Sequence, residues 1–313
     1  MRAAVLHDGS DDLVIEEIID TGLRPREVRV RTAACGLCHS DMHVLDGTLV
    51  RPRPHVLGHE AAGVVTEVGD AVTSVAVGDH VVTCLVQGCG TCARCEGGEP
   101  TLCTHATATR RAGDDEPRFR TSTGAAVTVF ANVGGLSEEM VLDERGLVAI
   151  PDDVPMDLAA ILGCAVVTGL GAVFNVARVQ PGETVAVIGC GGVGLNVIQG
   201  ARIAGASRII AVDIADSKLD AARAVGATDI VNASAGDPVA KVIALTGVGV
   251  DHAFEVIGKP ATAQQALAMA ANGRDGYVVG VMSDNSTIEV SSEYTKRGKS
   301  LRGVFMGSTR PRV

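Results

Sequence analysis

The sequence TVAVIGCGGVG at residues 184–194 joins a short apolar strand to a helix through a run of glycines. Gly189 permits a tight turn, Gly191 lets the backbone approach a pyrophosphate, and Gly194 allows close packing of helix on strand. Gly192 belongs to the same run, where the N-terminus of the helix attracts an anion. Asp213 follows at the end of the next predicted strand. The strand, helix and acid together predict a dinucleotide site, which the glycines alone would support only weakly.

Around this motif, residues 151–313 alternate between apolar strands and alanine-rich helices. Near-continuous apolar strands favour parallel pairing with both faces buried. The pattern predicts an α/β fold with a doubly wound parallel sheet of the Rossmann type. The predicted strands are 184–188, 208–212, 229–232, 251–256 and 277–281, and the predicted helices are 193–204, 218–225, 238–246 and 261–271.

Residues 1–150 have a different pattern, with short β segments separated by turns, such as 27–32, 62–68 and 80–85. They predict a mostly β module. The polar segment 105–124 is predicted to be an exposed loop. A chain of 313 residues exceeds the size that one hydrophobic core normally serves, so we expect two domains, 1–150 and 151–313.

Composition excludes several classes of function. The net charge of −10 argues against a nucleic-acid surface, because phosphate binding needs clustered Lys and Arg. No apolar run approaches 18 residues, which argues against a membrane partner. No signal peptide is recognised at the N-terminus, so we expect a cytoplasmic protein.

Cys89, Cys92, Cys95 and Cys103 follow the spacing C-x₂-C-x₂-C-x₇-C, with glycines between them. Four thiolates close a tetrahedron around Zn²⁺ and leave no open position, so this four-cysteine lobe (about residues 88–104) is predicted to hold a structural zinc. Iron–sulfur ligation is less favoured, because those runs usually have a Pro-flanked fourth ligand. Disulfides are the least favoured, given an odd total of nine cysteines.

Asp213 also bears on the choice of cofactor. A carboxylate accepts hydrogen bonds from a ribose 2′-hydroxyl but repels a 2′-phosphate, so NAD is favoured over NADP. Lys218, early in the following helix, either contacts the adenosine ribose or is a solvated surface lysine.

Five motifs occur in a fixed order: CGLCHSD at 35–41, GHEAAG at 58–63, the four-cysteine lobe, GC at 163–164 and the glycine run. In order and spacing they resemble the zinc-dependent alcohol dehydrogenases of the medium-chain dehydrogenase/reductase superfamily. The resemblance implies a GroES-like catalytic domain before the Rossmann domain. It also implies a second, catalytic zinc held by Cys38, His59 and Cys164, which leave a fourth position open.

The resemblance further implies roles for residues near that zinc. Glu60 would be an outer-sphere or transient ligand, or alternatively a salt-bridge partner. Asp41 would orient His59, or alternatively cap a helix or turn. Ser40 and His43 would carry the proton of the alcohol away, or alternatively His43 would be a surface histidine.

For the cofactor, the resemblance implies that His39 contacts the pyrophosphate, Thr168 packs behind the nicotinamide and Val193 lies near the adenosine. Thr168 and Val193 are equally compatible with ordinary packing. Val279, in the predicted strand 277–281, is included in the predicted cofactor site.

The implied activity is hydride transfer between a primary aliphatic or aromatic alcohol, or its aldehyde, and NAD(H). Leu85 falls near a position where the family has an aromatic residue in the wall of the substrate pocket. Its smaller side chain should widen that pocket. The alternative is an S-(hydroxymethyl)thiol, or formaldehyde, dehydrogenase. Two observations count against this alternative. That class carries an acidic residue where this chain has Leu49, and no arginine directly follows Cys103 here. A protein that binds zinc and NAD without turnover is a further alternative, whereas a zinc-free quinone reductase is disfavoured by the complete metal set.

Two expectations concern assembly and length. The long connection 104–138 resembles that of dimeric members, and strands 287–290 and 300–304 could extend the sheet across a two-fold axis, so a homodimer is predicted. Because relatives continue beyond the position of Val313, part of the catalytic domain is expected to lie outside this sequence.

Overall fold

The computed structural model describes residues 1–105, 108–111 and 116–312. The chain forms two compact units, one of Met1–Ala165 with the segment from Arg310, and one of Val166–Thr309. The first unit extends beyond residue 150, where we expected the boundary. The reason is that the helix Met156–Ala160 packs on two strands of this unit, Glu27–Gly36 and Glu60–Val68.

The first unit contains a closed five-stranded barrel, in the order β1-β2-β7-β8-β4, and a five-stranded sheet, β10-β6-β5-β3-β9. The mostly β character predicted for this region is therefore present. Its strands are β1 (Arg2–Leu6), β2 (Leu13–Asp20), β3 (Glu27–Gly36), β4 (His55–Val56), β5 (Glu60–Val68), β6 (His80–Thr83), β7 (Phe119–Thr121), β8 (Ala126–Val129), β9 (Glu139–Asp143) and β10 (Leu147–Ala149). Its helices are α1 (His39–Leu45), α2 (Ala93–Glu96) and α3 (Met156–Ala160), with 3₁₀ turns at Pro100–Leu102, Phe130–Asn132, Glu144–Gly146 and Ile161–Gly163.

The second unit is built on one parallel six-stranded sheet in the order β13-β12-β11-β14-β15-β16. This confirms the predicted α/β fold of the Rossmann type. Its strands are β11 (Thr184–Ile188), β12 (Arg208–Asp213), β13 (Asp229–Asn232), β14 (Val250–Glu255), β15 (Ala270–Val278) and β16 (Ser300–Gly303). Its helices are α4 (Ala165–Gly171), a π-helical turn (Ala172–Ala177), α5 (Gly192–Ile203), α6 (Asp216–Val225), α7 (Pro238–Thr246), α8 (Pro260–Met269) and α9 (Ser292–Lys296), with 3₁₀ turns at Ala233–Ala235 and Met306–Ser308.

Helix α7 has the predicted bounds because its sequence carries both end signals. The Asp237 side chain accepts hydrogen bonds from the backbone N–H groups of Val239 (2.9 Å) and Ala240 (3.3 Å), and Pro238 occupies the first turn. Gly247 follows with φ +81°, the left-handed conformation that favours glycine after a helix.

Two predictions for the second unit were wrong. The strand predicted at 277–281 begins at Ala270, within the predicted helix 261–271, and ends at Val278. It ends there because the backbone N–H groups of Val279 and Gly280 both donate to the carbonyl of Glu255, so the chain turns. Residues 287–290 form no strand and have no pairing partner in the part of the chain that the structure describes. The homodimer therefore stays a prediction.

The predicted exposed segment 105–124 includes residues 106–107 and 112–115, which lie outside the described residues. For Arg118 the prediction was wrong. Its side chain is buried, where its Nε donates to Glu27 Oε1 at 2.8 Å. The ion pair with Glu27 offsets the cost of burying the Arg118 charge. Because Glu27 is 91 residues away, no local pattern in the sequence indicates this burial.

Within the described ranges, no single helix is both long and apolar enough to cross a membrane. The helical segments Met156–Gly163 and Ala165–Ala177 reach that length and apolar content only when they are taken together, and the chain bends between them.

Candidate functional site

Four side chains of the first unit bring their metal-binding atoms within 4.8 Å of one another: Cys38, His59, Glu60 and Cys164. We call them the mixed donor cluster. Cys38 is the residue before α1, His59 and Glu60 lie where the chain enters β5, and Cys164 follows the turn Ile161–Gly163. Two sulfurs and an imidazole are the donor types of a catalytic zinc site, so the residues present fit the predicted metal.

Gly163 explains how Cys164 reaches this cluster. A Cβ at residue 163 would lie 2.2 Å from the carbonyl oxygen of Thr83, at the end of β6. Only glycine permits that approach, because a methyl group cannot share the space. The Thr83 hydroxyl in turn donates to the carbonyl of His59 at 3.2 Å, which fixes the backbone of a second member of the cluster.

Asp41 contacts both the residue before α1 and the ring of His59. One carboxylate oxygen accepts the backbone N–H of Cys38 at 3.0 Å, as a helix cap does. The other accepts the backbone N–H of Gly58 at 2.9 Å and lies 3.4 Å from Nδ1 of His59. Asp41 and His59 are each 1% exposed, so this contact is shielded from water.

The close contacts within the cluster shift the pKa values of its members. A hydrogen bond from the Cys164 thiol, with help from His59, lowers the pKa of Cys38 to about 4 against the effect of burial. The pKa of Cys164 is correspondingly raised, because it shares its proton with Cys38. Burial opposes a charge on His59, but the contacts with Asp41 and Cys38 prevail and raise its pKa to about 10. A zinc ligand set needs a deprotonated Cys164 thiol and a neutral His59 imidazole, so metal binding here would release protons.

Glu60 lies against Gly36, where an added Cβ would be 2.5 Å from the Glu60 Oε2. Burial, with the neighbouring Cys38, raises the pKa of Glu60. A carboxylate oxygen of Glu60 lies within 4.8 Å of the donor atoms of Cys38, His59 and Cys164.

Helix α1 carries the other polar residues predicted near this cluster. Ser40 Oγ lies 3.8 Å from Cys38 Sγ. The ring of His43 packs edge-on against that of His39, with centroids 4.6 Å apart. Nδ1 of His43 is buried and makes no hydrogen bond to the described residues, with Asp46 Oδ2 at 3.9 Å.

The four-cysteine lobe also brings its four sulfurs within 4.8 Å of one another. The Sγ atoms of Cys89 and Cys95 are 4.0 Å apart and those of Cys92 and Cys103 are 3.9 Å apart. A tetrahedron of Zn–S bonds requires sulfurs about 3.8 Å apart, so the lobe fits a structural zinc.

The surroundings of the lobe are cationic and rich in backbone donors. Backbone N–H groups of residues 89 and 105 approach Cys103 Sγ at 3.3 Å, and that of Thr91 approaches Cys89 Sγ at 3.4 Å. Arg145 donates to the carbonyl of Cys89 at 2.9 Å and is held by two 2.8 Å contacts to Asp143. A groove of about 630 Å³ beside the lobe is lined in part by four arginines: Arg26, Arg145, Arg310 and Arg312.

In the second unit, the glycine run forms a tight turn between β11 and α5. Gly189 has φ +98°, and a Cβ at Gly194 would lie 1.8 Å from the carbonyl oxygen of Gly189. Helix α5 begins at Gly192. A Cβ at Gly191 would meet nothing within 4 Å, so the backbone there is open to a ligand at the N-terminus of the helix.

Asp213 lies beside this loop with its carboxylate bonded to three backbone N–H groups. Oδ2 accepts from Cys190 at 2.8 Å, and Oδ1 accepts from Ile214 at 2.8 Å and Ala215 at 3.1 Å. The carboxylate therefore ties the glycine loop to the turn after β12. Lys218 is exposed on α6.

The other predicted cofactor residues lie in or against the hydrophobic core. Thr168 is buried and its hydroxyl donates to Met306 Sδ at 3.5 Å. Val193 is half-buried against the core of the second unit, and Val279 belongs to that core. These packing contacts are compatible with both readings of Thr168 and Val193.

Sequence reasoning missed Phe130, whose ring packs edge-on against His59 with centroids 5.2 Å apart. It also missed Thr83 and Arg145. No motif contains these residues, and only the folded chain shows their contacts.

Comparison with known proteins gives concordant results for both units. The family model described as the alcohol dehydrogenase GroES-like domain matches residues 24–152, and that of the zinc-binding dehydrogenases matches residues 192–313. The chain is 39% identical to an S-(hydroxymethyl)glutathione dehydrogenase of Synechocystis sp., over 99% of this chain and 86% of the relative. It is 37% identical to one from Saccharomyces cerevisiae, over 99% of this chain and 83% of the relative.

Among solved structures, the benzyl alcohol dehydrogenase of Acinetobacter calcoaceticus superimposes with a TM-score of 0.90 and 33% identity. The alignment covers 99% of this chain and 85% of that structure.

Proposed function

The chain belongs to the zinc-dependent alcohol dehydrogenases, and we propose that it transfers hydride between a primary alcohol or its aldehyde and NAD(H). The observation that carries this proposal is the mixed donor cluster, in which two sulfurs, an imidazole and a carboxylate lie within 4.8 Å. When bound, zinc supplies a Lewis acid for the alcohol oxygen and NAD supplies the hydride acceptor. The alcohol loses a hydride and a proton, and the products are the aldehyde, NADH and the released proton.

The protein's own residues handle that proton. We assign to Ser40, whose hydroxyl lies 3.8 Å from Cys38 Sγ, the role of accepting it from the alcohol. His43 follows one turn along α1, and its buried Nδ1 makes no hydrogen bond to the described residues, so it is available to receive the proton. An imidazole is suited to this step because its two ring nitrogens can accept and release a proton.

Cofactor selection is proposed to depend on Asp213, because its negative charge at the end of β12 repels a 2′-phosphate. The same carboxylate holds the glycine loop through the backbone N–H of Cys190. His39 at the exposed start of α1 is proposed to contact the pyrophosphate.

The substrate class is proposed from the apolar side chains near the cluster. Leu49 is buried among Val44, Leu57 and Phe130, so an apolar side chain occupies the position where an acid would favour a glutathione adduct. Leu85 is half-buried and adds aliphatic surface. We therefore propose primary aliphatic and benzylic alcohols as substrates.

A second candidate is oxidation of an S-(hydroxymethyl)thiol. It is favoured by the names of the two relatives that are 39% and 37% identical to this chain. The two candidates share the zinc, the cofactor and the proton path, and they differ only in the pocket that receives the substrate.

The test is NADH formation by the purified chain with benzyl alcohol, a series of aliphatic primary alcohols, and formaldehyde with and without glutathione. We expect turnover with the alcohols, dependence on metal, and no gain from glutathione. Turnover only with formaldehyde and glutathione would favour the second candidate. Two bound zincs with NAD binding and no turnover would contradict the proposal as a whole.

A further inference from the structure

The ring of Phe130 contacts the imidazole of His59, a member of the mixed donor cluster. The two centroids are 5.2 Å apart with an angle of 86° between the planes, the edge-to-face arrangement that aromatic rings prefer. The same phenyl ring also packs against the imidazole of His55, with the ring centroids 6.0 Å apart and an angle of 67° between the planes. Phe130 is 8% exposed, so it has little freedom to move away.

This contact is important because the hydrogen bond that usually orients a ligand imidazole is long here. Nδ1 of His59 lies 3.4 Å from Asp41, beyond the 2.7–3.2 Å of a good N–H···O bond. The two carboxylate oxygens of Asp41 make shorter bonds, at 2.9 and 3.0 Å, to backbone N–H groups. The carboxylate thus fixes the backbone more firmly than it fixes the ring of His59.

Phe130 is held by an unusual turn. The next two residues, Ala131 and Asn132, have φ values of +52° and +63°, in the left-handed region that disfavours residues other than glycine. Such a conformation persists only when neighbouring groups hold it in place. The side-chain direction of Phe130, the first residue of this turn, is therefore set by those neighbours.

The neighbours are polar and buried. The Asn132 amide donates to the carbonyl of Thr109 at 3.2 Å and to the Gln87 side chain, and its oxygen accepts from Arg118. Arg118 in turn donates to Glu27 at 2.8 Å and to the Thr109 carbonyl at 2.9 Å. The ion pair and these hydrogen bonds hold the turn, and the turn holds Phe130 against His59.

We propose that Phe130 is a positioning residue for the catalytic metal: its ring, held by the Phe130–Asn132 turn, fixes the plane of the His59 imidazole toward the zinc. The proposal rests on the proposed function, because it assumes a metal at the mixed donor cluster. It assigns to Phe130 the ring restraint that the long Asp41 contact supplies only weakly.

The experiment compares Phe130→Leu with Phe119→Leu in the full chain. Phe119 is 1% exposed in the barrel core and does not contact His59, so it controls for the loss of a buried ring. Both proteins are loaded with Co²⁺, and we measure the visible spectrum and the rate of metal loss to a chelator. The four-cysteine lobe gives its own thiolate spectrum and serves as an internal standard.

We expect the cobalt bands of the mixed donor cluster to change in Phe130→Leu only, with metal loss from that cluster faster by about two- to tenfold. Phe130→Tyr keeps the ring and should restore the wild-type spectrum and rate. Identical spectra and rates in Phe130→Leu and Phe119→Leu would overturn the inference. A wild-type chain with no cobalt at the mixed donor cluster would instead overturn the proposed function.

Discussion

The mixed donor cluster and the four-cysteine lobe bring their donor atoms equally close, within 4.8 Å, but their surroundings differ. The first has an imidazole, a carboxylate and buried neighbours, with Asp41 and Phe130 against His59. The second has four sulfurs surrounded by backbone N–H groups and arginines. Four thiolates leave the zinc with a charge near −2 and no open position, whereas two thiolates leave it near neutral. Close donor atoms indicate a candidate metal site in both regions, and the types of donor decide whether the metal can act on a substrate.

The largest expected effect comes from removing one sulfur from each cluster. Cys38→Ser should lower turnover by at least about a thousandfold while leaving one zinc per chain, because the Lewis acid contributes several kcal/mol to the reaction. Cys95→Ser should lose the other zinc and lower Tm, because a structural zinc contributes directly to folding. Zinc analysis, thermal melting and NADH formation measure these effects. The contrast would fail if Cys38→Ser kept its activity or if Cys95→Ser kept its Tm.

A smaller effect is expected from Asp41→Asn, which keeps the shape but removes the charge beside His59. Loss of a carboxylate partner to a ligand imidazole typically costs about 10- to 100-fold in metal affinity or activity. Asp143→Asn is the matched control, because Asp143 holds Arg145 beside the four-cysteine lobe. Competition with a chelator should show weakened metal binding at the mixed donor cluster for Asp41→Asn alone. Equal weakening in both variants would show that the charge acts through general stability.

The smallest effect is expected from Arg145→Gln. Its guanidinium donates to the Cys89 carbonyl and is partly exposed, so it should stabilise the anionic lobe by only about 0.2–1 kcal/mol. Zinc release from the lobe should become about two- to fivefold faster, with kcat unchanged. Arg29→Gln is the control. Arg29 lies outside the lobe, with its Nε 2.9 Å from Glu67 Oε2, so this substitution should leave zinc release unchanged. Faster release in both variants would point to general destabilisation.

The two regions also differ in how far their sequences predicted them. The ligands of the four-cysteine lobe lie within fifteen residues, so spacing alone indicated the metal. The ligands of the mixed donor cluster are separated by more than a hundred residues, and only the resemblance to a family joined Cys38 to Cys164. Phe130, Thr83 and Arg118 could not be assigned from sequence, because their roles depend on contacts between distant segments and not on local pattern.

In the second unit, elements with strong end signals were predicted with their observed bounds, as for 184–188, 229–232 and 238–246. Strand β15 was not, because its start is set by parallel pairing with β14 and its end by two N–H groups that share the Glu255 carbonyl. The hydrophobic pattern of the sequence indicates which residues are buried, whereas the pairing between strands determines where each strand ends.

The Asp213 carboxylate restricts how this cofactor site can be redesigned or can evolve. Its two oxygens are bonded to the N–H groups of Cys190, Ile214 and Ala215. An apolar substitution that removes the charge to admit NADP would also leave these three groups without their acceptor and loosen the glycine loop. Two changes would be needed together. The first is a neutral side chain at residue 213 that still accepts hydrogen bonds, and the second is a new cation for the 2′-phosphate. The intermediate with only the first change should bind both dinucleotides weakly, so a change of cofactor preference at this site requires both changes together.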